Sequence, residues 1–148
     1  MEVHDLVVIG SGPAGDTAAL YAQRAGIQTL VLDKAAFGGQ VTLTSKIDNY
    51  PGAINIDGYS LMESMRSQAQ GFGAMYENRE VLEVRHSDDR KLFRLTTATE
   101  DIASKAVIAC LGSKYALAGF KGERDFTGRG VSYCATCDGM FYRNKQLF

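Results

Sequence analysis

Two cysteines three apart, Cys134 and Cys137, followed at once by Asp138, form the densest reactive cluster in the 148-residue chain. A Cys-x-x-Cys pair can close to a disulfide, and a sulfur with a lowered pKa attacks as the thiolate. A carboxyl at position 138 can hand a proton to a departing thiolate, which is general-acid work; its bland counterpart is an Asp-Gly turn with Gly139. The same cysteine spacing also serves zinc, but a structural zinc site wants four Cys or His ligands. The rest of the chain offers only Cys110, His4 and His86. Cys110 sits in an apolar run and reads as core, and both histidines are remote and flanked by charges. Redox chemistry is therefore the expectation, with zinc and inert thiols as the other readings, and no metal site is expected.

A second constellation lies near the N-terminus, where Gly10-Ser11-Gly12-Pro13-Ala14-Gly15 fits G-x-G-x-x-G. Its context is that of a dinucleotide fingerprint: an apolar strand before it, a helical pattern after it, and an acid, Asp33, eighteen residues past Gly15. Gly10 permits the tight turn, Gly12 lets the backbone approach a pyrophosphate, and Gly15 allows close packing of helix on strand. The N–H groups and dipole of the helix N-terminus stabilise phosphate charge, and Asp33 would accept hydrogen bonds from a ribose hydroxyl pair. The alternative is a merely tight glycine turn. The motif alone does not separate FAD from NAD, since both present an ADP half.

These residues need a scaffold, and the hydrophobic pattern predicts one. His4 to Ile9 reads as a buried strand, Pro13 to Ala25 as a helix with an Ala-rich face, and Ile27 to Leu32 as a second strand closing on Asp33. Together they form a parallel βαβ unit, with the ligand site at the strands' carboxyl ends. Lys34 to Gly58 is irregular and glycine-rich, and a loop this long is usually functional, the bland alternative being a surface excursion. Tyr59 to Phe72 returns to helical spacing, with Met62 and Met65 as core filler. Glu80 to His86 and Lys91 to Thr99 read as two antiparallel strands, and Ser104 to Leu111 as a strand rejoining the parallel sheet, the insert covering one side of it.

Composition narrows the function classes. Lys plus Arg total 16 against 17 for Asp plus Glu, so no basic field attracts a nucleic acid. No apolar run approaches the roughly 18 residues of a membrane span, and the N-terminus is too acidic for a signal peptide. Three cysteines do not make a secreted disulfide scaffold, so a cytoplasmic address is expected.

The fingerprint followed by Gly38-Gly39-Gln40, Asn49-Tyr50-Pro51-Gly52 and Gly128-Arg129-Gly130-Val131-Ser132-Tyr133 leading into Cys134-Ala135-Thr136-Cys137-Asp138-Gly139 resembles the N-terminal part of the low-molecular-weight thioredoxin reductases. The resemblance runs from about Asp5 to Phe148. It implies an α/β fold, a Rossmann-like FAD-binding domain of the pyridine nucleotide-disulfide oxidoreductase type, whose parallel sheet carries an antiparallel β insert. Residues 1–112 would belong to the FAD domain, and 113–148 would be a linker and the start of an NADPH domain carrying the redox pair.

By the same resemblance, the Gly10 to Gly15 stretch (Gly10, Ser11, Gly12, Pro13, Ala14, Gly15) binds the ADP half of FAD. Asp33, Lys34, Gly38, Gly39 and Gln40 lie along the cofactor, with Thr44 and Asn49 towards the flavin and Gly112 also at the cofactor. Cys137 would face the flavin, Cys134 would attack the thioredoxin disulfide, and Asp138 takes the general-acid position. The implied chemistry carries electrons from NADPH to FAD, to the Cys134–Cys137 disulfide and to thioredoxin, in a homodimer. Where the family has Ala-Thr-Gly, this chain has Cys110-Leu111-Gly112, so Leu111 removes a hydroxyl near the cofactor. Family chains are roughly twice as long, so a partial sequence is expected, inactive by itself, with the NADPH site beyond residue 148. The competing readings are a reductase fed by ferredoxin, and a non-catalytic flavin-binding or thiol-sensing module.

Overall fold

The computed structural model describes residues 3–34, 37–89, 91–135 and 139–147, with Met140 by its backbone alone. The chain divides into two compact units, Met1–Gly112 and Ser113–Phe148. Among the described residues no helix is long and apolar enough to cross a membrane.

In the first unit, strand β1 (Val3–Ile9), helix α1 (Pro13–Arg24) and strand β2 (Thr29–Asp33) form the parallel βαβ unit. Alternation along β1 sends Leu6 and Val8 to one sheet face and Val7 to the other. Leu6 and Val8 pack with Ala19 of α1 and with Val31, Ala69 and Ala74, while Val7 packs with Leu30, Leu32, Leu95 and Ile102. Each large apolar side chain so buried contributes about 1.5–3 kcal/mol. Helix α1 begins with Pro13 at a position whose N–H has no intrahelical partner in any case, and it ends where Gly26 turns to φ +77°.

Helix α2 (Gly58–Gly71) is capped by Asp57, whose carboxylate accepts from the Ser60 N–H at 2.9 Å and from its hydroxyl at 2.7 Å. Those bonds hold the Asp57 carboxyl below the usual carboxylate range. Met62 is fully buried and Met65 half-buried. The remaining strands are β3 (Met75–Asn78), β4 (Val81–Ser87), β5 (Leu92–Thr97) and β6 (Asp101–Ala109). The six-stranded sheet has the order β3-β2-β1-β6-β5-β4.

The structure corrects one expectation and adds a strand. The antiparallel insert does not cover a face of the sheet; it continues the sheet sideways. Residues 101–104 of β6 pair antiparallel with β5 while β6 also pairs parallel with β1, so both hydrogen-bonding edges of β6 are used in one plane. Strand β3, parallel to β2, had no counterpart in the sequence reading. Only four residues long and mostly exposed, it is placed by docking on β2 and not by an apolar pattern of its own.

In the second unit the described residues form turns, an isolated bridge between Thr127 and Val131, and a short 3₁₀ helix over Gly139–Tyr142.

Candidate functional site

The fingerprint loop sits at the carboxyl ends of three parallel strands. Gly10 N–H donates to the Leu32 carbonyl at 2.7 Å, and Cys110 N–H donates to the Ile9 carbonyl at 2.8 Å, so β2 and β6 flank the point where β1 turns into α1. Gly10 has φ +99°, and a side chain there would strike the Cys110 carbonyl. One at Gly15 would strike the Gly10 carbonyl, which is how α1 comes so close to β1. Gly12 differs from both: its backbone is extended, and an added Cβ would meet no heavy atom within 4 Å. It is the N-cap of α1 and supplies no side-chain cap, so the helix start is left open to an anionic group.

Asp33, at the end of β2, points back at this loop. Its Oδ2 accepts from the Ser11 N–H at 2.6 Å and from the Ser11 hydroxyl at 3.0 Å. With its amide oriented to satisfy its neighbours, Asn78 of β3 donates to the carbonyls of Asp33 at 3.0 Å and Lys34 at 3.1 Å. The Lys34 ammonium reaches Glu80 at 3.5 Å across solvent. Ser11 and Asp33 line a shallow hollow with Arg66, Tyr76 and Asn78.

The Gly38-Gly39-Gln40 stretch is brought to the same place. Gly38 has φ +70° and leads into a 3₁₀ turn over Gly39–Leu43; a Cβ at Gly39 would lie 3.7 Å from the Gly12 Cα. Thr44 closes that turn, donating its N–H to the Val41 carbonyl at 3.0 Å, and Asn49 lies on an exposed excursion between the Ile47–Ile56 and Tyr50–Ala53 bridges. Gly112, with φ +66°, ends the unit two residues after Cys110, and Leu111 beside it is 74% exposed. The structure therefore gathers Gly10 to Gly15, Asp33 and Gly39.

Asp16 was not singled out from the sequence. It is 1% exposed, and its Oδ1 accepts from the Tyr76 hydroxyl at 3.0 Å while its Oδ2 has no partner among the described residues. Burial pushes its carboxyl up to about 6, against the Tyr76 hydrogen bond and the charge of Arg66, which lower it; the charge of Asp33 adds to the rise. Burial, then the charge of Asp16, raises the Tyr76 phenol well above its ordinary value. Arg66 lies over the Tyr76 ring, 4.4 Å from its centroid. The only sequence signal was an acid on an otherwise Ala-rich helix face, which reads equally well as a favourable charge in a first helical turn.

In the second unit Cys134 is half-buried and disulfide-bonded, and its N–H donates to the Ser132 hydroxyl at 3.2 Å. Cys137 and Asp138 lie outside the described residues. Cys110 is a free, half-buried thiol at the edge of the helix-side core, raised by burial.

Residues 4–147 match the family described as pyridine nucleotide-disulphide oxidoreductase. The chain belongs to that family. Among curated relatives it is 43% identical over 145 residues to a thioredoxin reductase of Treponema pallidum, covering 97% of this chain and 47% of the relative. Among solved structures, a thioredoxin reductase of Streptococcus pyogenes superposes with TM-score 0.80 at 39% identity, covering 95% of this chain and 45% of that one. A ferredoxin-flavin thioredoxin reductase of Clostridium acetobutylicum matches at 32% identity and TM-score 0.70, covering 96% and 49%. The chain thus spans about half the length of the relatives it matches.

Proposed function

We propose that this chain supplies the FAD-binding and redox-active portion of an NADPH-dependent thioredoxin reductase. The observation that carries the reading is the open Gly12 helix start, closed in by Gly39 and faced by the Asp33 carboxylate. A dinucleotide needs that combination of an unobstructed backbone, a positive helix end and a ribose acceptor.

In this reading Gly10 and Gly15 shape the turn, and Gly12 and Ala14 would hold the pyrophosphate with backbone N–H groups, Pro13 having none to give. Asp33 exchanges its Ser11 contacts for, or shares them with, ribose hydroxyls. Lys34, Gly38 to Gln40, Thr44, Asn49 and Gly112 line the rest of the cofactor. FAD, when bound, supplies a two-electron carrier between a nicotinamide and a disulfide. Cys134 and Cys137 alternate between disulfide and dithiol, and Asp138 protonates the departing thiolate. The net reaction consumes NADPH, a proton and a thioredoxin disulfide and yields NADP⁺ and the thioredoxin dithiol.

Residues 1–112 would be the FAD-domain portion and 113–148 the linker and start of the NADPH domain, in a cytoplasmic homodimer. The curated relatives matched at about 40% identity are named thioredoxin reductases, and NADPH is the donor of this reading. The test uses the enzyme of full family length that contains this chain. Cys137→Ser is expected to abolish NADPH-dependent thioredoxin reduction while bound flavin is retained. Undiminished turnover in that variant contradicts the catalytic assignment and favours a thiol-sensing role.

A further inference from the structure

Among the described residues of the second unit, Glu123 is the one buried ionisable side chain, at 4% exposure. Its carboxylate accepts three hydrogen bonds: from the Ala118 N–H at 2.7 Å, the Gly119 N–H at 2.7 Å and the Tyr133 hydroxyl at 2.7 Å. Its backbone carbonyl takes a fourth, from the Thr127 hydroxyl at 2.8 Å. Burial pushes the carboxyl up, but the bonds from Tyr133, Ala118 and Gly119 prevail and hold it below its ordinary value.

The partners of this one residue bracket a tight turn. Thr127 opens it; the N–H groups of Arg129 and Val131 both donate to the Phe126 carbonyl, at 2.8 and 2.9 Å; Tyr133 closes it. The Tyr133 ring is stacked on Tyr115 with centroids 4.1 Å apart and planes 9° from parallel. The next residue is Cys134. Beside the backbone bonds of its turns, the Glu123 carboxylate ties the stretch from Ala118 to Tyr133 together, and charge-assisted bonds are the strong ones.

We propose that Glu123 is a positioning residue for the redox pair. By holding Tyr133 it fixes the backbone that presents Cys134, and so sets how readily the Cys134–Cys137 disulfide closes. Closure of a dithiol depends on how far the two sulfurs are held in the reacting arrangement before the bond forms. A glutamine at 123 keeps the shape but turns an NH₂ towards N–H and O–H donors, leaving at least one of them without an acceptor. This inference rests on the reading that the two cysteines cycle between disulfide and dithiol.

The experiment equilibrates the whole chain in glutathione buffers, where the disulfide gains two electrons and two protons as two glutathione thiols become one glutathione disulfide. The oxidised fraction is read from the mass of the alkylated peptide containing Cys134 and Cys137, which excludes Cys110. Glu123→Gln is expected to shift the equilibrium towards the dithiol by about 5–10-fold, tenfold being about 30 mV for a two-electron couple. Tyr133→Phe should shift it in the same direction by less, since it removes only one of the three bonds to the carboxylate, and the double variant should fall short of the sum of the two, because both disturb the Glu123–Tyr133 contact. A parent that cycles, with an unchanged equilibrium in Glu123→Gln and only a lowered melting temperature, overturns the inference and leaves the redox reading standing. A parent whose cysteines do not exchange with glutathione overturns both. Should Glu123→Gln fail to fold, Tyr133→Phe decides alone, since it leaves the two backbone donors paired.

Discussion

The two units place their chemistry by opposite means. In Met1–Gly112 the fingerprint is a backbone object: three parallel strands end together, and Gly10, Gly12 and Gly15 matter because they lack a side chain. In Ser113–Phe148 the turns leading to Cys134 are tied to one another by a side-chain acceptor, the Glu123 carboxylate. A site made of backbone is sensitive to volume and to φ, whereas a site held by a carboxylate is sensitive to the number of lone pairs. Volume-conserving changes should therefore damage the second unit and spare the first, and added methyl groups should do the reverse.

The largest expected effect is on the backbone side. Gly10→Ala forces a side chain onto φ +99° and into the Cys110 carbonyl, costing about 2–6 kcal/mol from strain and overpacking together. A urea titration should show the first unit unfolding at a far lower midpoint, and an unchanged midpoint would break the contrast.

Asp16 sharpens the comparison, since among the described residues of the first unit it is the one buried ionisable side chain, and its charge works against the fold. Its carboxyl sits at about 6 in the folded chain against an ordinary 3.8. The fold therefore binds this proton more tightly than the unfolded chain does. Stability from this group is greatest below about pH 4, falls as pH rises through 6, and stays at its lower level above that. Asp16→Asn keeps an acceptor for the Tyr76 hydroxyl and removes the charge. It should stabilise the fold at pH 7.5 by about 1–3 kcal/mol and change little at pH 4, as read from urea midpoints across that range.

The smallest effect belongs to Lys34. Its ion pair with Glu80 is long and more than half exposed on both sides, so Lys34→Ala should alter stability by less than about 0.5 kcal/mol. A larger loss would mean that the turn after β2 is not held by Asn78.

What could be read from the sequence follows the same division. Val3–Ile9, Pro13–Arg24 and Thr29–Asp33 carry strong local signals, a β-branched run, a Pro-started Ala-rich helix and a terminal acid, so that unit was legible almost to the residue. Strand β3 was not, because Met75–Asn78 is set by pairing with β2. The sideways path of β4 and β5 was not either, since alternation gives the face of a strand and says nothing of which neighbour it joins. At the site, spacing disclosed the glycines and Asp33. It could not disclose the contact of Tyr76 with Asp16, sixty residues apart, or that of Tyr133 with Glu123, ten apart across irregular turns, because a polar pair not within one helix or strand leaves no period in the sequence.

The most direct test of the dinucleotide site is FAD affinity in the parent chain and in Gly12→Val, measured side by side with their urea midpoints. The backbone at position 12 is extended and a Cβ there would meet nothing within 4 Å, so the fold should stand while the valine side chain takes the space for a pyrophosphate. The expected result is saturable flavin binding by the parent, loss of most of that affinity in Gly12→Val, and equal midpoints. A parent that binds no FAD, or a Gly12→Val variant that binds it as tightly, would contradict the assignment of the fingerprint as the cofactor site.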